Sequence, residues 1–235
     1  MKRTKKLYNN TYKQISNDID DLAFELFDKG VYGTLLRSEL WQYKKYVDLQ
    51  QKITSILHEQ SNEQIQITTI ALENCFAETI GKTLEEFDTE ENIGFTILNK
   101  NQTNQVLNTA WSGKNYSARI YDTNSMIGER IKKDITDMVI TGKNPTRIKE
   151  QLSKDLSISY SYADRLVRTE ASHVFNEAAK QSYKEAGIEQ IEVLVEEDSD
   201  ICDECENLKG IYKIGTEPRL PAHPNCRCCY VPVVE

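Results

Sequence analysis

The stretch CDECENLKGIYKIGTEPRLPAHPNCRCC, from Cys202 to Cys229, holds five of the chain's six cysteines and one of its three histidines. The spacing is Cys202-x2-Cys205-x17-His223-x2-Cys226, followed by Cys228 and Cys229. Two thiolates two residues apart on a tight knuckle can face one ion, and a second knuckle of similar spacing completes a tetrahedron. Asp203 inside the first knuckle, and Pro221 and Pro224 around His223, supply turn-forming residues. The pattern points to a closed Cys3His site for structural zinc, with Cys202, Cys205, His223 and Cys226 as metal ligands. Cys228 competes with Cys226 for the fourth position through a His-x4-Cys pairing. Cys229 falls on the opposite side if the segment is extended. Two other readings stay open: reduced thiols packed without metal, and disulfides.

The redox compartment weighs on that choice. The basic start MKRTKK is followed by the polar LYNNTYKQISNDIDD, unlike the apolar core of a secretory signal. No run approaches the about 18 apolar residues that a membrane span needs. A reducing cytoplasm is expected, where clustered cysteines serve metals or catalysis more often than disulfides. The 29 Lys and Arg against 37 Asp and Glu leave a net charge of −8. That balance argues against non-specific wrapping of duplex DNA, whose affinity comes from phosphate neutralisation. The basic start reads as a solvated end. At 235 residues, 39% hydrophobic and 28% charged, the chain suits one large globular domain or two modest ones.

Helical periodicity dominates the chain up to Gly187. Ile19, Leu22, Leu26 and Phe27 mark a first helix that Gly30 can end. A long amphipathic helix is expected from Leu36 to His58, and another from Glu63 to Ile80, stopped by Gly81. Cys75 and His58 read as ordinary helical residues. The Asn-rich NKNQTNQVLNTAWSGKNYSARIY breaks the helical texture. It suggests a boundary near residue 105, between a helical region at 1–105 and a second domain at 106–235. There, helices are expected within 123–187. Ile127, Ile131, Ile135 and Met138 precede a Gly142 cap. Asn144 and Pro145 start the next helix, with Ile148, Leu152 and Leu156 on its face. Ser161 and Asp164 look like a capping box for a third, lined by Ala163, Leu166, Val167, Val174 and Ala178.

The period then changes to two. Ile191, Val193 and Val195 alternate, and GIYKIG and CYVPVV read as two more strands. The fold class is therefore α+β: a mostly helical chain followed by a small antiparallel β subdomain at 188–235 carrying the Cys/His knot. Glu204 and Glu206, and the run Glu196, Glu197, Asp198 and Asp200, read as solvated acidic turns rather than as a general base beside an open metal. The order needed by a zinc deaminase is missing, as are a phosphate loop and a nucleophile elbow. Glu170 and His173 share a helical face. A polar contact tying this helix to the β subdomain is the simpler reading of the pair.

Taken in order, WSGKNYSARIY, LVRTEASHVFNEAAKQSYKEAG, DSDICDECENLKGIY and LPAHPNCRCCYVPV resemble the phage head morphogenesis proteins, minor capsid proteins of the MuF-like family. The resemblance covers about Trp111 to Val233. Beyond the four metal-ligand positions, it picks out Arg168, Thr169, Glu170, Asn176, Asp200, Gly210, Pro224, Arg227 and Cys228 as family-motif residues. It implies a minor head protein of a phage or prophage, without enzymatic activity, acting in capsid assembly and DNA packaging or ejection. The implied partners are the phage portal protein or a capsid or scaffold protein. The implied location is the host cytoplasm during assembly, then the virion. A zinc-dependent nucleic-acid-binding protein or nuclease, with a DNA contact, is the alternative.

Overall fold

A computed structural model describes residues 2–87, 95–195 and 202–234, with the side chains of 95–100 not described. The described chain runs α1 (Lys2–Asp28), α2 (Lys44–Glu86), α3 (Phe95–Asn108), α4 (Tyr116–Thr141), α5 (Pro145–Glu185), β1 (Gln190–Leu194), α6 (Asp203–Glu206), β2 (Gly210–Lys213) and β3 (Cys229–Pro232). This is the expected α+β order: helices first, then a small sheet beside the Cys/His knot. The acidic run Glu196, Glu197, Asp198 and Asp200 lies outside the described residues. No described helix is long and apolar enough to cross a membrane. The chain divides into two compact units, Met1–Ile67 with Ser117–Asp164, and Thr68–Tyr116 with Arg165–Glu235.

The first unit is helical. Ile15, Ile19, Leu22 and Leu26 of α1 recur at four, three and four, and all are at most 1% exposed. They join Leu49 and Ile53 of α2, Ile131, Ile135 and Met138 of α4, and Leu152 of α5 in one apolar core. Phe27, expected on that face, is 55% exposed and stacks on Tyr32 at 4.0 Å. A polar layer also enters this core. The Tyr8 hydroxyl donates to Gln64 Oε1 at 3.1 Å and lies 3.1 Å from Ser159 Oγ.

Helix ends follow the glycines in three places. The amides of Val31, Lys143 and Ile188 close on the carbonyls of Leu26, Met138 and Tyr183, just past Gly30, Gly142 and Gly187. Gly33 has a further reason to be glycine. Its φ is +78°, and a Cβ there would sit 2.9 Å from Gly142 Cα. Gly33→Ala is expected to destabilise the first unit by more than about 1 kcal/mol, read as a lowered chemical-denaturation midpoint with an unchanged slope.

Elsewhere the helices are longer than local signals suggest. Gly81 does not stop α2, because Phe76, Ile80 and Leu84 stay on one buried face across it. Their burial outweighs the about 1 kcal/mol that an interior glycine costs. Residues 36–43 are not helical as expected. The Glu39 carboxylate accepts the Leu36 amide at 2.7 Å, a local turn, and only Leu40–Gln42 form a short 3-10 turn. Ser161 is not a cap. It lies inside α5 and donates to the Ser157 carbonyl at 3.1 Å. Asn144 is one, accepting the Thr146 amide at 2.9 Å. The Asn-rich stretch is largely α3 and the start of α4, with the break confined to the residues between them.

The second unit holds the sheet, ordered β2-β1-β3 with both pairings antiparallel. Ile191, Val193 and Tyr230 fill its core with Ala179, Tyr183 and Leu220. All three predicted strands form. The register matters for the knot. Val193 pairs with Gly210 at the start of β2, and Leu194 pairs with Cys229 at the start of β3. The starts of both outer strands therefore lie beside the end of the central one. The two segments that lead into them, each carrying one knuckle, arrive at the same end of the sheet.

Candidate metal centre

The first knuckle is the one-turn α6. Cys202 is its N-cap in extended backbone, and its Sγ accepts the Cys205 amide at 3.4 Å. That bond points the Cys202 sulfur back over the turn, on the side where Cys205 also lies. The second knuckle is held by Asn225, whose φ of 63° reverses the chain, and by the Cys226 amide bonding to the His223 carbonyl at 3.1 Å.

Five side chains meet. His223 Nε2 is 3.2 Å from Cys202 Sγ and 3.0 Å from Cys205 Sγ. Cys205 Sγ is 3.7 Å from Cys226 Sγ. The ligand atoms of Cys202, Cys205 and His223 all lie within 4.8 Å of one another, and so do those of Cys205, Cys226 and Cys228. Cys205 belongs to both triads. His223 Nδ1 sits 3.0 Å from the Pro224 carbonyl. A proton on Nδ1 satisfies that carbonyl and leaves the Nε2 lone pair facing the sulfurs, the tautomer a metal ligand needs.

The donor set can hold a metal ion, and its chemistry is that of a soft or borderline cation. Electrostatics separates the thiols. The Cys205 amide is the main influence holding the Cys202 thiol below its ordinary value. Burial pushes Cys226 up, but amides of Cys228 and Ala222 aimed at its sulfur, with neighbouring thiols, bring it below that value. Burial raises Cys205, and raises Cys228 to about 11. The Pro224 carbonyl is the first cause of a raised His223 pKa. Cys229 is half-buried, pairs with Leu194 in the sheet, and belongs to neither triad.

Helix α5 carries the polar residues that place the second knuckle. Thr169 Oγ1 accepts the Asn225 amide at 3.4 Å, and Ser172 Oγ donates to the Cys226 carbonyl at 3.5 Å. Asn176, fully buried, donates Nδ2–H to the Cys228 carbonyl at 3.3 Å and accepts the Tyr230 amide through Oδ1 at 3.0 Å. The Tyr183 hydroxyl donates to the Tyr230 carbonyl at 3.3 Å. Residues 225–230 thus run along α5, matched to a stripe at 169, 172, 176 and 183. Thr169 and Asn176 are among the family-motif residues; Ser172 and Tyr183 were not singled out in sequence. Their only signal is polar residues recurring at helical spacing on an otherwise apolar face.

The other motif residues are placed as follows. Glu170 is 4% exposed and accepts Trp111 Nε1–H at 2.8 Å. The Trp111 ring stacks on His173 with centroids 4.4 Å apart, and His173 Nδ1 lies 3.3 Å from the Leu220 carbonyl. Arg219 donates to the Trp111 carbonyl. This network ties α5 to the approach to β3, as the simpler reading of Glu170 and His173 expected. Trp111→Phe keeps a ring over His173 and removes the bond to Glu170. It is expected to cost about 1.5–3 kcal/mol in thermal unfolding of the second unit, as for hydrogen bonds to charged groups. Gly210 opens β2; Pro224, Arg168 and Arg227 are exposed, and Arg227 separates the two buried thiols of its Cys-x-Cys. Asp200 is outside the described residues.

Residues 129–231 match the family model described as phage Mu protein F like protein. That segment is similar to the MuF-like family of phage head morphogenesis proteins. The match takes in the second half of α4, all of α5, the three strands up to Val231, and every residue of the Cys/His cluster. No curated protein and no solved structure matches the chain.

Proposed function

We propose that the protein is a minor head protein that binds the portal or the inner face of the capsid during assembly, packaging or ejection of phage DNA. The observation that carries this reading is the family match over the segment containing α5 and the whole knot. The role is structural rather than catalytic. Cys202, Cys205, His223 and Cys226 hold one zinc ion, which stabilises the end of the sheet. Four protein ligands close a zinc tetrahedron and leave no position for a reactive water. Zinc supplies folding free energy there, since its ligands come together only in the folded state.

Two measurements test the proposal separately. Protein purified under reducing conditions is expected to carry one zinc per chain by elemental analysis; absence of bound metal overturns the zinc assignment. Co-expressed with the portal protein of the same phage, the chain is expected to co-sediment with assembled portal rings or procapsids. Sedimentation as free chain alongside rings and procapsids overturns the partner assignment.

A further inference from the structure

The cluster has more donors than one tetrahedral ion uses. Cys202, Cys205 and His223 form one triad, and Cys205, Cys226 and Cys228 form the other. With three positions taken by the first triad, Cys226 and Cys228 face a single remaining position. Both are buried, at 6% and 4% exposure. They are two residues apart where the chain straightens into β3, so their side chains leave the backbone on the same side. Arg227 between them is exposed, and Cys229 after them is in neither triad.

The backbone of each is anchored independently to α5. Ser172 holds the Cys226 carbonyl and Asn176 holds the Cys228 carbonyl. Neither thiol therefore depends on the other for its place beside Cys205. We propose that Cys228 is a second donor for the fourth metal position, so that either Cys226 or Cys228 completes the site around Cys202, Cys205 and His223. This inference rests on the metal reading of the knot. The site tolerates loss of either thiol, by substitution or by oxidation, and fails only when both are lost.

Cobalt(II) loaded into the full-length protein tests this, because the intensity of its thiolate charge-transfer bands counts bound sulfurs. Wild-type, Cys226→Ser, Cys228→Ser and Cys229→Ser proteins are all expected to show three bound thiolates and the visible bands of a tetrahedral ion. The double variant Cys226→Ser/Cys228→Ser is expected to lose one thiolate's worth of intensity and to release cobalt to a chelator that the single variants withstand. Far-UV circular dichroism confirms that each variant keeps its helices. If Cys226→Ser alone drops to two thiolates, Cys228 is no substitute and the inference falls. Four thiolates in the wild type also overturn it, since Cys228 then binds together with Cys226. Failure of the wild type to take up cobalt or zinc overturns the metal reading instead.

Discussion

Stripping metal from the protein with a strong chelator is expected to unfold the sheet of the second unit while the helical first unit persists. The cost follows from mass action: an ion at a thousand times its dissociation constant contributes about 4 kcal/mol to the state that binds it. The elements concerned are short, and the apolar core they share with Ala179 and Tyr183 is smaller than that of the first unit. The strands are five, four and four residues long. The first unit has its own apolar core, drawn from α1, α2, α4 and α5. Hydrogen exchange gives the cleanest readout. Amides of 190–194, 210–213 and 229–231 are expected to lose protection on chelation, while those of Ile15 to Leu26 and Ile131 to Met138 keep theirs. Cys202→Ser/Cys205→Ser is expected to reproduce the loss without chelator. Uniform loss across both units, or none, contradicts the assignment. The pH dependence has a definite sign. Thiolate and neutral imidazole bind metal and their protonated forms do not, so the stabilisation is present at neutral pH and is lost on acidification.

How much of this was legible beforehand depends on how local the signal is. The three strands, the caps at Gly142 and Asn144 and the knot residues could be read because each is written in neighbouring residues: alternation, a glycine, a two-residue Cys spacing. The sequence also suggested that two knuckles meet, but not that Cys205 stands in both triads. That depends on the antiparallel register, in which Val193 faces Gly210 and Leu194 faces Cys229. The stop at Gly81 and the capping box at Ser161 failed for the opposite reason. Both were local signals, and burial along a continuous helical face overrode them. Trp111 could be placed in a resembling motif, but its bond to Glu170 joins residues 59 apart in sequence, a separation over which no periodicity speaks.

Asn176→Ala is expected to destabilise the second unit by about 3–5 kcal/mol. The side chain is 0% exposed and answers two backbone groups at once, one just before the last strand and one in it. Its removal leaves the Cys228 carbonyl without that donor and the Tyr230 amide without that acceptor. An unsatisfied buried group costs about 1–3 kcal/mol, and the lost side-chain volume adds to it. Asn176→Asp separates the two bonds. A carboxylate still accepts from Tyr230 N–H but turns an acceptor toward the Cys228 carbonyl, so the variant is expected to recover only part of the loss. Asn176→Leu fills the space and satisfies neither group, and should resemble Ala. The readout is thermal unfolding of zinc-loaded and chelator-treated protein. If the asparagine acts by aligning residues 225–230 on α5, its substitution also weakens zinc binding, because the same strand segment delivers Cys226 and Cys228. An Ala variant that loses stability but binds zinc with unchanged affinity would show that α5 stabilises the sheet without positioning the thiols. The two measurements together therefore separate the helix's contribution to the fold from its contribution to the metal site.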